Sequence, residues 1–199
     1  MQSSPGTSPN PLISVFMSAR NAGAYLALAV ASILDQSLSD FEFLIIDDAS
    51  TDNTWELLSS FGDPRLKVYR NDTQQGQSAN YNRLIQQSGG RYLAKMDADD
   101  ISLPERFRIQ VDFLESHPEI WACSGTYKLL TGANLYDFSR ICDPAELRVS
   151  MALNNGLAHP FMMPPGDSWR QPDPPDHPQR PFDQEPDFWL RLLLNYPAA

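Results

Sequence analysis

Cysteine is scarce in this chain. Cys123 and Cys142 are the two among 199 residues, and neither belongs to a CxxC pair or a Cys/His cluster. That spacing excludes a disulfide framework and fits no zinc site, which leaves reduced thiols in a cytosolic protein as the plain reading. Positive charge is also in short supply, with 15 basic residues against 25 acidic ones and a formal net charge of −10. Such a surface repels phosphate backbones and anionic lipid heads, so nucleic acid is a poor partner. An anionic substrate would need a cation to bridge it to the protein. No hydrophobic run is long: LALAVASIL (residues 26–34) falls well short of the ~20 residues that a membrane span requires. The opening MQSSPGTSPNP has neither a basic nor an apolar region, so residues 1–10 are expected to be a loose tail and not a secretory signal. The Asn71-Asp72-Thr73 sequon is then without consequence. Also missing are a GxGxxG after the first strand and any GxxxxGK[ST], which disfavours dinucleotide and P-loop chemistry.

What is present is an ordinary globular mixture, 42% hydrophobic and 20% charged, in a length that suits one domain. The first 127 residues alternate strand and helix signals. LISVFM (12–17), FEFLIID (41–47), LKVY (66–69), RYLAKM (91–96) and IWACSGTY (120–127) read as short strands, the first an apolar run suited to a buried parallel strand. Between them, residues 21–36 place Leu26, Val30, Ile33 and Leu34 on one helical stripe. Residues 55–61 follow the cap-type cluster DASTDNT, and residues 78–88 are stopped by Gly89-Gly90. Ser102-Leu103-Pro104-Glu105 has capping-box spacing ahead of a helix that puts Phe107, Val111 and Leu114 on one face and stops near His117-Pro118. The expectation is an α/β fold: a mostly parallel sheet with helices on both faces.

The last third differs. Residues 144–154 suit one more helix and 157–163 a strand. Nine of the 17 prolines then fall within residues 160–186, which excludes helix and makes a poor strand. An extended loop is expected there, followed by a helical pattern in DFWLRLLLNY (187–196).

Ligands of open α/β sheets bind beyond the carboxyl ends of the strands. That rule selects Ser18-Ala19-Arg20-Asn21, Asp47-Asp48 and Asp97-Ala98-Asp99-Asp100. Five carboxylates on one edge repel each other unless they are hydrogen-bonded, spread apart or neutralised by a cation. In extended backbone Asp97 and Asp99 would face one point while Asp100 turns away. Two hard oxygens with room for water and phosphate suit Mg²⁺ or Mn²⁺. The bland alternative is a solvated acidic turn. Asp48, after a buried strand, could accept hydrogen bonds from a base or ribose, or equally cap the next helix. Glu185 ahead of the last helical pattern could be a general base, or simply a favourable charge at a helix N-terminus. His159 reads as structural, and Gly166-Asp167-Ser168 lies in a proline loop with no strand before it.

Two long segments carry a resemblance. PLISVFMSARNAGAYLALAVASILDQSLSDFEFLIIDDASTDNT resembles the opening of family 2 glycosyltransferases, and GQSANYNRLIQQSGGRYLAKMDADDISLPERFRIQVDFLESHPEI resembles their central part. The likeness runs from about residue 11 to residue 127. It implies a GT-A fold, a Rossmann-like nucleotide-binding sheet over residues 11–130, with an acceptor side built from residues 131–199. It implies a nucleotide-sugar donor, often a UDP-sugar, a divalent metal, and one displacement that inverts the anomeric centre. By position, Ser18 and Arg20 would touch the nucleotide, Asp48 the uracil, and Asp97 the ribose and sugar. Asp99 would be the metal ligand, and Glu185, in QEPDFW, the catalytic base.

The chain also departs from the family. Arg20 stands where many members have an aromatic residue, and the base position carries Glu with Pro186 directly behind it. Residues 163–181 do not read like the family's usual stretch, and the sequence ends where the family normally continues. The expected protein is a cytoplasmic glycosyltransferase, with the inner face of the membrane as a further station. It would take a saccharide or lipid-linked acceptor and serve cell-surface polysaccharide synthesis. The rivals are a degenerate member that binds nucleotide and metal without transfer, and a nucleotidyltransferase on a similar sheet.

Overall fold

A computed structural model describes residues 10–120, 122–125, 127–131, 134–138 and 163–167. Four strands form one parallel sheet: β1 (Ile13–Ala19), β2 (Phe41–Asp47), β3 (Leu66–Arg70) and β4 (Tyr92–Lys95), in the order β3-β2-β1-β4. Helices α1 (Leu26–Leu34), α2 (Thr54–Ser60) and α3 (Gln77–Gln87) connect them, and α4 (Arg106–Ser116) follows β4. Every residue of β2 is buried, as befits an inner strand of a parallel sheet, Glu42 and Asp47 included. Successive side chains of β1 serve opposite layers. Ile13, Val15, Met17 and Ala19 join the core made with Leu26, Val30 and Ile33 of α1 and with Phe107, Val111 and Leu114 of α4. Phe16 faces the other layer, where its ring meets Tyr81 of α3 edge-on at 5.3 Å.

Strands β1 to β4 and helices α2 and α3 stand within two residues of the expected bounds. Gly90 shows why one turn is spelled as it is: a Cβ there would lie 2.3 Å from the Ser14 backbone nitrogen. The Gly90 amide instead donates to Ser14 Oγ at 2.8 Å.

Three expectations need correction. First, Ser102 does not cap α4. The N-cap residue is Glu105, without a side-chain cap bond, and Pro104 precedes the helix. Gln36 reaches across from the end of α1 instead: its Oε1 accepts from the Phe107 amide at 3.1 Å, while its Nε2 donates to Ser102 Oγ and the Leu103 carbonyl. A partner 71 residues away cannot be read from local spacing. Second, the described residues within 120–127 add no fifth strand to the parallel sheet. Cys123 makes a single antiparallel bridge to Met163, and β5 (Tyr127–Thr131) pairs with β6 (Asn134–Phe138) as a separate hairpin. Third, the chain ahead of Asp167 is not a free loop. Pro165 bridges Tyr92 antiparallel, and the Leu93 amide donates to the Pro164 carbonyl at 3.0 Å, so residues 163–165 cover the outer edge of β4. Proline is tolerated at such an edge because its missing N–H faces away from the ladder.

The expected tail over residues 1–9, the helices at 144–154 and 187–196, and the residues Cys142, His159 and Glu185 lie outside the described residues.

Candidate functional site

The chain leaves β1 toward β2 and β3, then returns across β1 to β4, so the strand order reverses between β1 and β4. Loops diverge at that point and open a crevice at the carboxyl ends, where open α/β sheets take their ligands. Ser18, Arg20, Asp48, Asp97 and Asp99 all sit on this edge, in β1 or in the loops after β1, β2 and β4.

The loops after β1 and β2 are zipped together. The amides of Asn21, Ala22 and Gly23 donate to Ser50 Oγ, Thr54 Oγ1 and Asp52 Oδ2 at 2.9, 2.8 and 3.1 Å. Arg20 spans the same seam, giving its Nη1 to the Asp48 carbonyl at 2.8 Å. Asn21 and Ala49 hold positive φ values of 49° and 55°, a backbone strain that surrounding bonds sustain at such rims.

Asp48 is buried and caps no helix; the residue ahead of α2 is Asn53. Its carboxylate anchors the loop between β3 and α3. Oδ1 accepts from Asn71 Nδ2 and the Gln75 amide, both at 2.8 Å, and Oδ2 accepts from the Gly76 amide at 2.9 Å. Gly76 makes this turn at φ 89°, a conformation that favours glycine. Burial alone would raise the Asp48 pKa, but these donors outweigh it and hold the acid below its ordinary value.

The acidic turn after β4 differs from expectation. The Asp100 amide donates to the Asp97 carbonyl at 3.3 Å, so the backbone folds into a turn there and is not extended. Asp97 is claimed from inside. The buried Lys95 ammonium lies 3.1 Å from its Oδ1, and the Tyr81 hydroxyl donates to the same oxygen at 3.0 Å. Lys95 also sits over the Tyr81 ring, 5.3 Å from its centroid. Asp99 is exposed on the outer side of the turn. Asp100, expected to turn away from the point that Asp97 and Asp99 face, is half-buried, and burial followed by the Asp97 and Asp99 charges pushes its pKa up to about 6. Among the described residues no three His, Cys, Asp or Glu side chains form a metal-holding group. The exposed Asp99 carboxylate is a hard oxygen donor of the kind that suits a divalent cation whose remaining shell is phosphate and water.

Lys95, Tyr81, Asn71 and Asn80 belong to this edge and the motif reading passed over them. One signal was available for Lys95: a lysine inside an otherwise apolar buried strand is rarely there without a partner. Asn71 and Asn80 offered none, since polar residues in a loop and on a helix are unremarkable until the fold buries them.

A parallel sheet with acid-bearing loops at its switch point places the chain among the open α/β proteins, which take ligands beyond the carboxyl ends of their strands. The model of "Glycosyl transferase family 2" matches residues 14–160, and the chain belongs to that family. Among curated proteins, it is 26% identical over 144 residues to the UDP-Glc:alpha-D-GlcNAc-diphosphoundecaprenol beta-1,3-glucosyltransferase WfgD of Escherichia coli; the match covers 72% of this chain and 56% of WfgD. Two solved structures share the fold. S. aureus TarS (residues 1–349) in complex with UDP-GlcNAc superposes with a TM-score of 0.64 at 21% identity, covering 77% of this chain and 45% of that one. The mannosyltransferase PcManGT of Pyrobaculum calidifontis, in complex with GDP-Man and Mn2+, gives 0.58 at 15% identity, covering 81% and 46%. The fold is the GT-A fold. The chain spans about half the length of the curated relatives it matches, from 36% to 60%. Among the described residues no helix is long and apolar enough to cross a membrane.

Proposed function

We propose that this chain carries the donor site of an inverting glycosyltransferase that moves a sugar from a UDP-sugar to a hydroxyl of a saccharide or lipid-linked acceptor. The observation that carries the reading is the convergence of Ser18, Asp48, Asp97 and Asp99 on the switch-point edge, in a chain of family 2. The relatives add support: WfgD is named for a UDP-Glc donor and a diphosphoundecaprenol-linked acceptor, and PcManGT was solved with GDP-Man and Mn2+. On this reading the chain serves a cytoplasmic enzyme of cell-surface polysaccharide synthesis that works at the inner face of the membrane. Residues 131–199 fall to the acceptor side.

In this reading Ser18, Arg20 and Asp48 hold the nucleoside, and Asp97, fixed by Lys95 and Tyr81, meets the ribose and sugar. Asp99 supplies the carboxylate for Mg²⁺ or Mn²⁺. When bound, the metal neutralises the charge that grows on the leaving diphosphate, which an edge of this acidity cannot do unaided. A carboxylate on the opposite face of the sugar takes the proton from the attacking hydroxyl, and Glu185 is the proposed base. Nothing favours the nucleotidyltransferase reading. The amides of the loop after β1 are spent on Ser50, Thr54 and Asp52 and so are not offered to a triphosphate.

A thermal-shift panel of UDP, GDP, CDP and the corresponding sugars, each with and without Mn²⁺, tests the reading. A rise in melting temperature with UDP-sugars that depends on the metal is expected. No shift with any nucleotide would overturn it. Donor binding without transfer to any hydroxyl acceptor would favour the degenerate member instead.

A further inference from the structure

A buried relay of amides runs beneath the nucleoside edge. Arg83 Nη1 donates to Asn71 Oδ1 at 3.0 Å. Asn71 Nδ2 donates to Asp48 Oδ1 and to Asn80 Oδ1, both at 2.8 Å. Asn80 Nδ2 then donates to Ser18 Oγ at 2.9 Å. Asn71 is 8% exposed and Asn80 2%. The polarity of this chain of bonds is dictated at its ends. A guanidinium can only donate and an ionised carboxylate can only accept. The Asn71 oxygen must therefore face Arg83 and its nitrogen must face Asp48. The same nitrogen meets Asn80, so Asn80 presents its oxygen there and its nitrogen to Ser18. Flipping either amide would set donor against donor. Ser18 Oγ thus accepts, and the hydrogen of its hydroxyl has no partner among the described residues. The Asp48 amide donates to the Ala19 carbonyl at 2.8 Å, which ties the two strand ends together.

From this geometry we infer that Asn80 is a positioning residue that fixes the Ser18 hydroxyl as a hydrogen-bond donor, so that Ser18 and Asp48 offer a donor beside an acceptor to the lactam edge (C=O beside N–H) of a uracil-type base. The inference rests on the donor-site reading above and deepens it. Asp48 Oδ2 accepts from the Gly76 amide, with the Asn80 side chain also against the carboxylate, and keeps capacity to accept a ring N–H. Ser18 contributes the complementary bond to a carbonyl. Asn80 acts through Ser18: its N–H fills one of the two lone pairs of Ser18 Oγ and so turns the hydroxyl hydrogen outward.

The test is a double-mutant cycle on the 199-residue chain, with UDP and Mn²⁺ as the probe and calorimetry as the readout. Ser18→Ala removes the hydroxyl. Asn80→Asp keeps the shape and the bond from Asn71 but turns the last donor into an acceptor, which draws the Ser18 hydrogen inward. Each single change is expected to weaken UDP about tenfold, the worth of one good hydrogen bond. The double variant is expected to lose about tenfold as well, because both changes remove the same bond. A roughly hundredfold, additive loss would show that Asn80 acts apart from Ser18 and would overturn the inference, as would Asn80→Asp binding UDP like the wild type. Should Asn80→Asp not fold, Asn80→Ala enters the same cycle. Its smaller loss must vanish in the Ser18→Ala background, and a loss that persists there overturns the inference. Failure of the underlying reading looks different: the wild type itself then binds no UDP, with or without metal.

Discussion

Single residues on the site edge divide into those held from within and those left to a ligand. Asp97 is oriented by Lys95 and Tyr81, while Asp99 stands exposed on the same turn. Asp99→Ala is therefore expected to abolish the metal-dependent part of UDP binding and leave the melting temperature of the free protein nearly unchanged. Calorimetry that finds the Mn²⁺ dependence intact would refute the role. At the opposite end of the sheet the buried Glu42 shows a second kind of acid. It accepts from Ser14 Oγ at 2.5 Å, Lys67 Nζ at 2.6 Å and the Gly89 amide at 2.8 Å. Burial pushes the Glu42 pKa up, but the bonds from Gly89, Lys67 and Ser14 win and hold it below the ordinary glutamate value. A lowered folded pKa gives stability above the unfolded value of about 4.5 and loses it as pH falls through the folded value. Glu42→Gln should cost about 1–3 kcal/mol at pH 7 and progressively less in acid. Melting curves across pH 3–7 check the convergence of the two proteins.

At the scale of elements, the acidic turn is held in place at both ends. Lys95 of β4 grips it on the inner side, and Gln36, from the end of α1, secures the segment that enters α4. Gln36→Ala leaves the Phe107 amide and the Ser102 hydroxyl without that partner, so a loss of about 1–2 kcal/mol in urea unfolding is expected. Freed from α1, the segment should also weaken UDP binding in the presence of Mn²⁺, although Gln36 lies outside the crevice; unchanged affinity would separate the anchor from the site. Gly90 marks the tightest backbone approach to β1. Gly90→Ala is expected to destabilise by about 2–4 kcal/mol, because its Cβ would meet backbone and not the end of a flexible side chain.

For the whole molecule, the proposed reading assigns donor binding and transfer to distant parts of the chain. The proposed donor loops lie between residues 18 and 105, whereas the proposed base Glu185 is separated from Asp99 by 85 intervening residues. Metal and base must flank the anomeric carbon, so one short segment cannot supply both. Glu185→Gln should leave UDP-sugar affinity as it is and stop transfer, read by release of UDP with acceptor present. Turnover equal to wild type would remove Glu185 from the mechanism.

Much of the fold was legible because its cause is local. Short apolar-rich runs announced the strands of the parallel sheet, 3.6-residue periodicity announced the helices, and the strand ends pointed to the carboxylate-bearing edge. The motifs that place Ser18, Asp48, Asp97 and Asp99 are contiguous in sequence, so they too could be read without coordinates. What depended on partners far along the chain stayed hidden. Gln36 replaced the expected cap of α4 from 71 residues away, residues 163–165 closed the edge of β4, and the turn at Asp97 overrode the extended geometry. The polarity of Ser18 is the clearest instance: it follows from Arg83 through two buried amides, and hydrogen bonds of that kind exist only once the tertiary fold has closed around them.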